Sequence, residues 1–167
     1  DRGVVQQDGN AQTVYDAPEN LFVAKFAGSP PMNLVAGTLK EERDSILFSE
    51  AGDGTIALRL PMPRFAGAKN LIGQPIVLGI RPEDIEIAVS ANGTERSATS
   101  FRALVDRIEP RGAESDLGLQ TGAHQLICRS RRGIAPGESG HRFLFEIALG
   151  KTHLFDPASG QRIRQEP

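Results

Sequence analysis

Arg81-Pro82-Glu83-Asp84 sets a guanidinium and two carboxylates within four residues, directly after the apolar run Ile76–Ile80. No nucleophile or histidine stands beside them in the sequence, so catalysis is set aside. Two readings remain: a structural corner closed by an Arg–carboxylate pair, or a regulatory or interface contact with another domain or subunit. Glu109, Glu114 and Asp116 cluster around Gly112. A cation loop needs several oxygens at a defined spacing, and this one lacks the EF-hand pattern, so it reads as a solvated turn. His124, His141 and His153 are scattered without an HExxH pattern, so each is expected at the surface or in a hydrogen bond rather than on zinc. Cys128 follows Leu126-Ile127 and reads as a small hydrophobe, since no activating partner is evident for a thiolate. Arg129-Ser130-Arg131-Arg132 reads as an exposed basic turn, or else as a contact for an anionic ligand or partner. No GxxxxGK[ST] segment is present to cradle nucleotide phosphates with its amides and lysine. Catalytic residues, bound metal and bound cofactor are therefore all expected to be absent from this chain.

The elements that must position these groups are short. Gly3–Gln7 reads as a strand closed by Asp8-Gly9, and Asn10 can cap a helix over about Ala11–Asp16 that Pro18 stops. Asn20 caps a second helix, Leu21–Ala27, with Gly28 as a left-handed stop and Pro30-Pro31 beyond. Only Lys25 is polar in that second helix, so nearly every face wants burial. Its length is also far below the ~12–15 residues at which an isolated helix is even marginal, so it must dock on something. From Leu34 the pattern turns to strands: Leu34–Leu39, Ser45–Phe48, the alternating Ile56, Leu58 and Leu60 after a Gly52-Asp53-Gly54 turn, Ile76–Ile80 and Ile85–Ile87. Gly79 marks a bulge or a close backbone approach, and Arg64–Leu71 reads as a loop with room for one helical turn. A small, polar loop covers about 90–100, and strands resume at Phe101–Val105, Ser115–Leu119, His124–Arg129, Phe143–Ile147 and His153–Asp156. Several short strands with Gly, Pro and Asn punctuation indicate an antiparallel barrel or sandwich.

Composition narrows the function classes. At 167 residues the chain has room for one ordinary domain or two small ones. Nineteen Lys and Arg against 21 Asp and Glu leave a formal charge of −2, without the excess basic charge of a nucleic-acid module. Eight Phe, one Tyr and no Trp offer few stacking platforms for bases. One cysteine cannot form an intrachain disulfide, which suits a reducing compartment. No stretch approaches the ~20 apolar residues of a membrane-spanning helix, and no signal peptide is visible.

The run from Val14 through Pro18-Glu19-Asn20-Leu21-Phe22-Val23-Ala24-Lys25-Phe26 to Gly28-Ser29-Pro30-Pro31-Met32-Asn33 resembles a junction in the ATPase subunits of maltose-type ABC importers. There the nucleotide-binding domain hands over to a C-terminal β-barrel part. Gly79-Ile80-Arg81-Pro82-Glu83-Asp84 is similar to the core motif of that family's transport-associated (TOBE) barrel. Val105, Ile108-Glu109 and Gly112 resemble its next strand and turn, and Phe155–Ile163 its closing segment. Asn10-Ala11 stands where the family has Thr-Pro, keeping a capping residue and losing the proline.

The resemblance implies a mainly β fold of tandem OB-like antiparallel barrels (TOBE type) with two short N-terminal helices. It implies that residues 1–30 are the tail of a nucleotide-binding domain and that 31–167 form the regulatory part, with the loop near 90–100 between two small barrels. Because the chain begins at Asp1 inside what reads as structure, it is expected to be a fragment of a longer subunit. The implied role is non-catalytic regulation and dimerisation of a carbohydrate-type importer ATPase, with ATP and Mg belonging to the longer parent. Tyr15, Phe22, Val23 and Phe26 would dock on the nucleotide-binding domain. Arg81, Pro82, Glu83, Asp84, Glu109 and Gly112 would serve regulatory or interface contacts. Implied partners are that domain, a second copy in a homodimer and membrane permease subunits, with no nucleic acid, at the cytoplasmic face of a membrane. The rival reading is an OB-type module that binds a small oxyanion or sugar.

Overall fold

Alternation with period two is the strongest local signal in the chain, and it organises the structure. In the computed structural model, which describes residues 3–88, 97–132 and 134–165, ten strands form two curled antiparallel sheets. The first sheet contains β1 (Asn33–Glu41), β2 (Ser45–Glu50), β3 (Ala57–Pro61), β4 (Pro75–Ile80) and β10 (His153–Phe155), in the order β10-β4-β1-β2-β3. The second contains β5 (Ile85–Ile87), β6 (Ser100–Arg111), β7 (Glu114–Gln120), β8 (Gln125–Ser130) and β9 (Arg142–Ile147), in the order β5-β9-β6-β7-β8. The fold is thus mainly β, two half-barrels with few helices. The chain's last strand returns to the first sheet, so the two are interlocked in sequence.

Inward positions of both sheets meet in one continuous hydrophobic core that includes Phe48, Leu58, Phe65, Phe101, Leu117 and Phe145. A polar clasp adds specificity across the sheets. The Asn33 amide at the start of β1 donates to the Ile127 carbonyl and accepts from the Ile127 N–H on β8, both at 2.8 Å. The side chain imitates a strand partner there, so β8 gains two ladder bonds where the first sheet supplies no backbone.

Helix α1 (Ala11–Asp16) is capped by Asn10, whose side chain accepts from the Thr13 N–H at 2.8 Å. Helix α2 (Leu21–Phe26) is capped the same way by Asn20, accepting from Val23 at 3.0 Å. Its Ala24 packs with Met32 and Phe155 in a small second cluster on the outer face of the first sheet. The chain's end fixes α2 from the other side: the Leu21 N–H donates to Gly160 O, and the Arg162 N–H to Glu19 O.

Several expectations are corrected. Residues 3–8 are irregular chain rather than a strand, because neither sheet extends to them and an extended segment needs a facing row of backbone groups to become a ladder. Arg64–Leu71 is not an open loop: α3 (Met62–Phe65) runs into a 3-10 helix over Ala66–Leu71, burying Phe65 and Ala68 in the core. Gly79 sits in regular register with β1 and β10; a Cβ there would fall 2.6 Å from Met32 Sδ and 2.8 Å from Phe155, so close side-chain approach is what excludes larger residues. The bulge lies in β6, between Val105 and Arg107. Of the expected loop near 90–100, residues 90–96 lie outside the described residues.

Candidate functional site: a cleft around the Arg81 latch

Pro82 holds Arg81 in extended backbone, and the turn Pro82–Asp84 then reverses the chain from β4 into β5. This geometry points Arg81 not at a carboxylate but back toward the N-terminal segment. Its guanidinium donates to the carbonyls of Ala27 and Tyr15, and its Cζ sits 3.9 Å above the centre of the Tyr15 ring. The expected Arg–carboxylate corner is therefore absent. Fork and stack together tie α1 and the end of α2 to the β4–β5 corner, an arrangement in which arginine outperforms lysine. Gly28 makes room for it, with φ at 113° and only tight space for a Cβ, which would lie 3.1 Å from both Arg81 Nη1 and Tyr15.

The acids of the motif take other partners. Glu83 accepts from the Tyr15 hydroxyl. Burial, followed by that hydrogen bond to a carboxylate, pushes the Tyr15 phenol up to about 12. Asp84 is buried and pairs with Lys151 at 3.1 Å; desolvation raises its pKa and the lysine opposes the shift. Pro82 is buried in the corner.

These residues open onto a cleft of about 390 Å³ lined also by Gln12, Arg64 and His153. Sequence spacing missed His153, which lies 72 positions from Arg81 yet is placed beside it because β10 pairs with β4. Burial, then the charges of Arg162, Arg64 and Arg81, lower its pKa to about 4. The unfolded chain therefore binds a proton at this histidine from about pH 6.5 downward, while the folded one resists until about pH 4. Stability from this group is fully present above pH 6.5 and is lost as pH falls toward 4. A urea-midpoint profile is expected to decline across that window, and His153→Phe is expected to flatten it.

The second acidic cluster is not a solvated turn. Asp116 is buried on β7, receives two hydrogen bonds from Arg129 at 2.9 and 3.1 Å, and pairs also with Arg111. The Arg129 hydrogen bond in particular holds its carboxyl below the usual range. Glu109 pairs with Arg107 at 3.3 Å beside the β6–β7 turn, where Gly112 adopts a φ of 75°. The basic run is split accordingly: Arg129 belongs to β8 and its ion pair, while Arg131 is exposed. Cys128 is buried, donates to Ile85 O and has its thiol pushed up to about 12 by burial, so it packs rather than reacts.

The N-terminal segment has a different character. Val23 is buried, but Phe22 is 42% and Phe26 81% exposed, with their rings stacked one helical turn apart. With Val4, Val5 and Val14 they line an open apolar groove of about 350 Å³. Of the four residues expected to dock on a nucleotide-binding domain, Val23 lines this groove with Phe22 and Phe26, while Tyr15 lines the Arg81 cleft.

Residues 28–85 match the MalK OB fold domain and residues 78–155 match the TOBE domain. The two matches overlap across the Gly79–Asp84 corner. The chain belongs to the OB and TOBE regulatory part of ABC importer ATP-binding subunits. It is 32% identical over 162 residues to the trehalose/maltose import ATP-binding protein MalK of Thermococcus litoralis, covering 97% of this chain and 42% of that protein. Against the sn-glycerol-3-phosphate import ATP-binding protein UgpC of Yersinia pestis it is 34% identical over 165 residues, covering 97% and 41%. The chain therefore spans about two fifths of the length of these relatives. Among solved structures, the molybdate-bound cytoplasmic protein ModG aligns with 75% of this chain at a TM-score of 0.54 and 15% identity, a likeness of fold alone. Among the described residues no helix is long and apolar enough to cross a membrane.

Proposed function

We propose that this OB and TOBE part works as the non-catalytic regulatory and dimerisation end of a longer importer ATPase subunit for carbohydrates or related solutes. The outward pair Phe22 and Phe26 carries the reading: two large apolar rings, on a short helix otherwise anchored to the first sheet, form a surface that wants a cover. Residues 1–30 are then the tail of a preceding nucleotide-binding domain that seats on this groove. The Arg81 latch holds the tail against the β4–β5 corner, so movement of the ATPase domain is passed to the sheets as a rigid lever. ATP and Mg belong to that preceding domain, a second copy completes the dimer, and permease subunits bring the complex to the cytoplasmic face of a membrane.

A chimera tests this. The portion of the Yersinia pestis UgpC protein that precedes its matched region is joined to this chain, and ATP turnover and dimerisation are measured. The chain alone is expected to turn over no ATP, and the chimera to hydrolyse it. Phe22→Asp with Phe26→Asp is expected to leave the isolated chain's stability within about 0.5 kcal/mol, as exposed sites do, while sharply reducing the chimera's turnover and ATP-dependent dimerisation. Unchanged turnover and dimerisation in the doubly substituted chimera would refute the docking surface.

A further inference from the structure

Strand β1 outruns its pairing with β2, and a side chain from the other sheet continues the ladder. The register closes with Gly37 opposite Glu50, after which the Ala36 carbonyl accepts from the Ala51 N–H at 2.9 Å. The Ala36 N–H is answered not by β2 but by Nε2 of His124, 3.1 Å away on the turn between β7 and β8. Only one form of that ring can stand in for a strand. An N–H donor needs a lone pair to meet it, so Nε2 is unprotonated and the proton of the neutral imidazole sits on Nδ1.

The other side of the ring is held by Glu50, whose Oε1 lies 2.7 Å from Nδ1 and whose side chain is wholly buried. A second proton on this imidazole therefore has two opposed effects. The bond to Glu50 becomes charge-assisted and strengthens. The contact with Ala36 becomes a meeting of two donors and is lost. The surrounding groups are few: Glu50 faces the ring from β2, uncharged Ala36 from β1, and Thr121 from the turn itself. The Gly52–Gly54 loop presents backbone to the turn, since a Cβ on Gly122 would lie 2.5 Å from the Asp53 carbonyl oxygen. Among the described residues the Asp53 carboxylate forms no ion pair, so Glu50 is the charge that His124 answers to. With its side chain 21% exposed, His124 can offer a new Nε2–H to water.

We propose that His124 is a proton-operated clasp between the two half-barrels: neutral, it fastens the β7–β8 turn to β1; protonated, it keeps Glu50 and releases Ala36. The Asn33 clasp on Ile127 has no titrating atom, so it holds in both states and acts as the pivot. The stronger Glu50 bond offsets the lost amide bond, which makes the change a local opening rather than an unfolding. Acidification thus loosens one sheet against the other at this end and leaves the shared core intact. His153 does not share the role, because it stays neutral down to about pH 4. The device lies wholly within this chain, so it stands or falls separately from the docking of an ATPase domain on Phe22 and Phe26.

Nuclear magnetic resonance on the nitrogen-15-labelled 167-residue chain, titrated from pH 8 to pH 5, reads both ends of the clasp. At pH 8 a scalar coupling across the hydrogen bond is expected between the Ala36 nitrogen and His124 Nε2, with Nε2 at the chemical shift of a lone-pair nitrogen. As Nε2 takes up its proton, the coupling should vanish with the same midpoint. Ala36 amide exchange, relative to its intrinsic rate, should then accelerate about tenfold, the worth of one hydrogen bond. The Ile127 amide, held by Asn33, should not change. His124→Gln can turn its NH₂ to Glu50 and its oxygen to Ala36, so it should protect Ala36 equally at both ends of the titration. His124→Phe should leave Ala36 exchanging fast throughout. The coupling in the unsubstituted chain keeps the test independent of how well the variants fold. The proposal is overturned if Ala36 stays coupled and protected once Nε2 is protonated, or if the ring is still neutral at pH 5. Equal acceleration at Ala36 and Ile127 would overturn it as well, and so would an Ala36 in His124→Gln that remains as sensitive to pH as in the parent.

Discussion

Glu50→Ala is expected to lower the unfolding free energy by about 4 kcal/mol, among the largest effects of any single polar substitution in this chain. The carboxylate side chain is fully buried at the end of β2 and gathers three donors from two segments. Oε1 accepts from the Thr121 hydroxyl and from His124 Nδ1 at 2.7 Å, and Oε2 accepts from the Ile56 N–H at 3.0 Å. His124 extends the network, because its Nε2 accepts from the Ala36 N–H at 3.1 Å on β1, which fixes the ring as the Nδ1-protonated tautomer. One carboxylate therefore binds the β7–β8 turn of the second sheet to β1, β2 and β3 of the first. Alanine leaves three donors facing a void, and Gly54, whose Cβ would overlap the Glu50 carboxyl, shows how tightly the loop closes over it. Glutamine is expected to recover only part of the loss, since its NH₂ must face a donor. Urea unfolding of Glu50→Ala, His124→Phe and the double variant should show strong coupling, with His124→Phe costing little once Glu50 is gone. Additive losses would mean that the network is not a unit.

Most of the strands were legible because one face of each is buried, so alternation survives in the residues. Ile56, Leu58 and Leu60 show it, as do Phe101, Ala103 and Val105. The same rule contained a signal that went unread. Ile46, Phe48 and Glu50 share a face of β2, and a carboxylate in an inward register position should have been flagged as a buried network. The helix caps were legible because Asn10 and Asn20 act locally. Gly3–Gln7 misled because strand propensity says nothing about whether a neighbour exists to complete a ladder. In the cleft, the Arg81 corner was visible as a motif, but its partners were not. Tyr15 and His153 arrive from opposite ends of the chain, brought in by α1 and by the β10–β4 pairing, and no local spacing encodes that meeting. Likewise, Asp116 looked solvated because sequence places it in a charged turn, whereas register sets it opposite Arg129 across β7 and β8.

Arg81→Met is expected to free the N-terminal helix rather than unfold the chain. Methionine keeps the stem's packing and removes the fork, so the Tyr15 and Ala27 carbonyls lose their charged donor and the Tyr15 ring loses its cation. Two such bonds and the stack are worth about 3 kcal/mol together. The full cost need not appear in global stability, because α1 can undock and rehydrate while α2 stays held by Ala24, Met32 and Phe155. The expected result is therefore uneven: amide exchange in α1 accelerates about a hundredfold, while the core strands change much less. Tyr15 supplies an independent reporter, since it is the only tyrosine and the chain has no tryptophan. In the parent chain burial and Glu83 keep the phenol protonated up to about pH 12. In Arg81→Met, an undocked α1 exposes it, and absorbance should show ionisation near the ordinary value of about 10. The sign discriminates, because removing a nearby cation from a ring that stays docked would push the phenol up instead. A rise, with α1 exchange unchanged, would show that hydrophobic packing alone holds the helix and that Arg81 is not its latch.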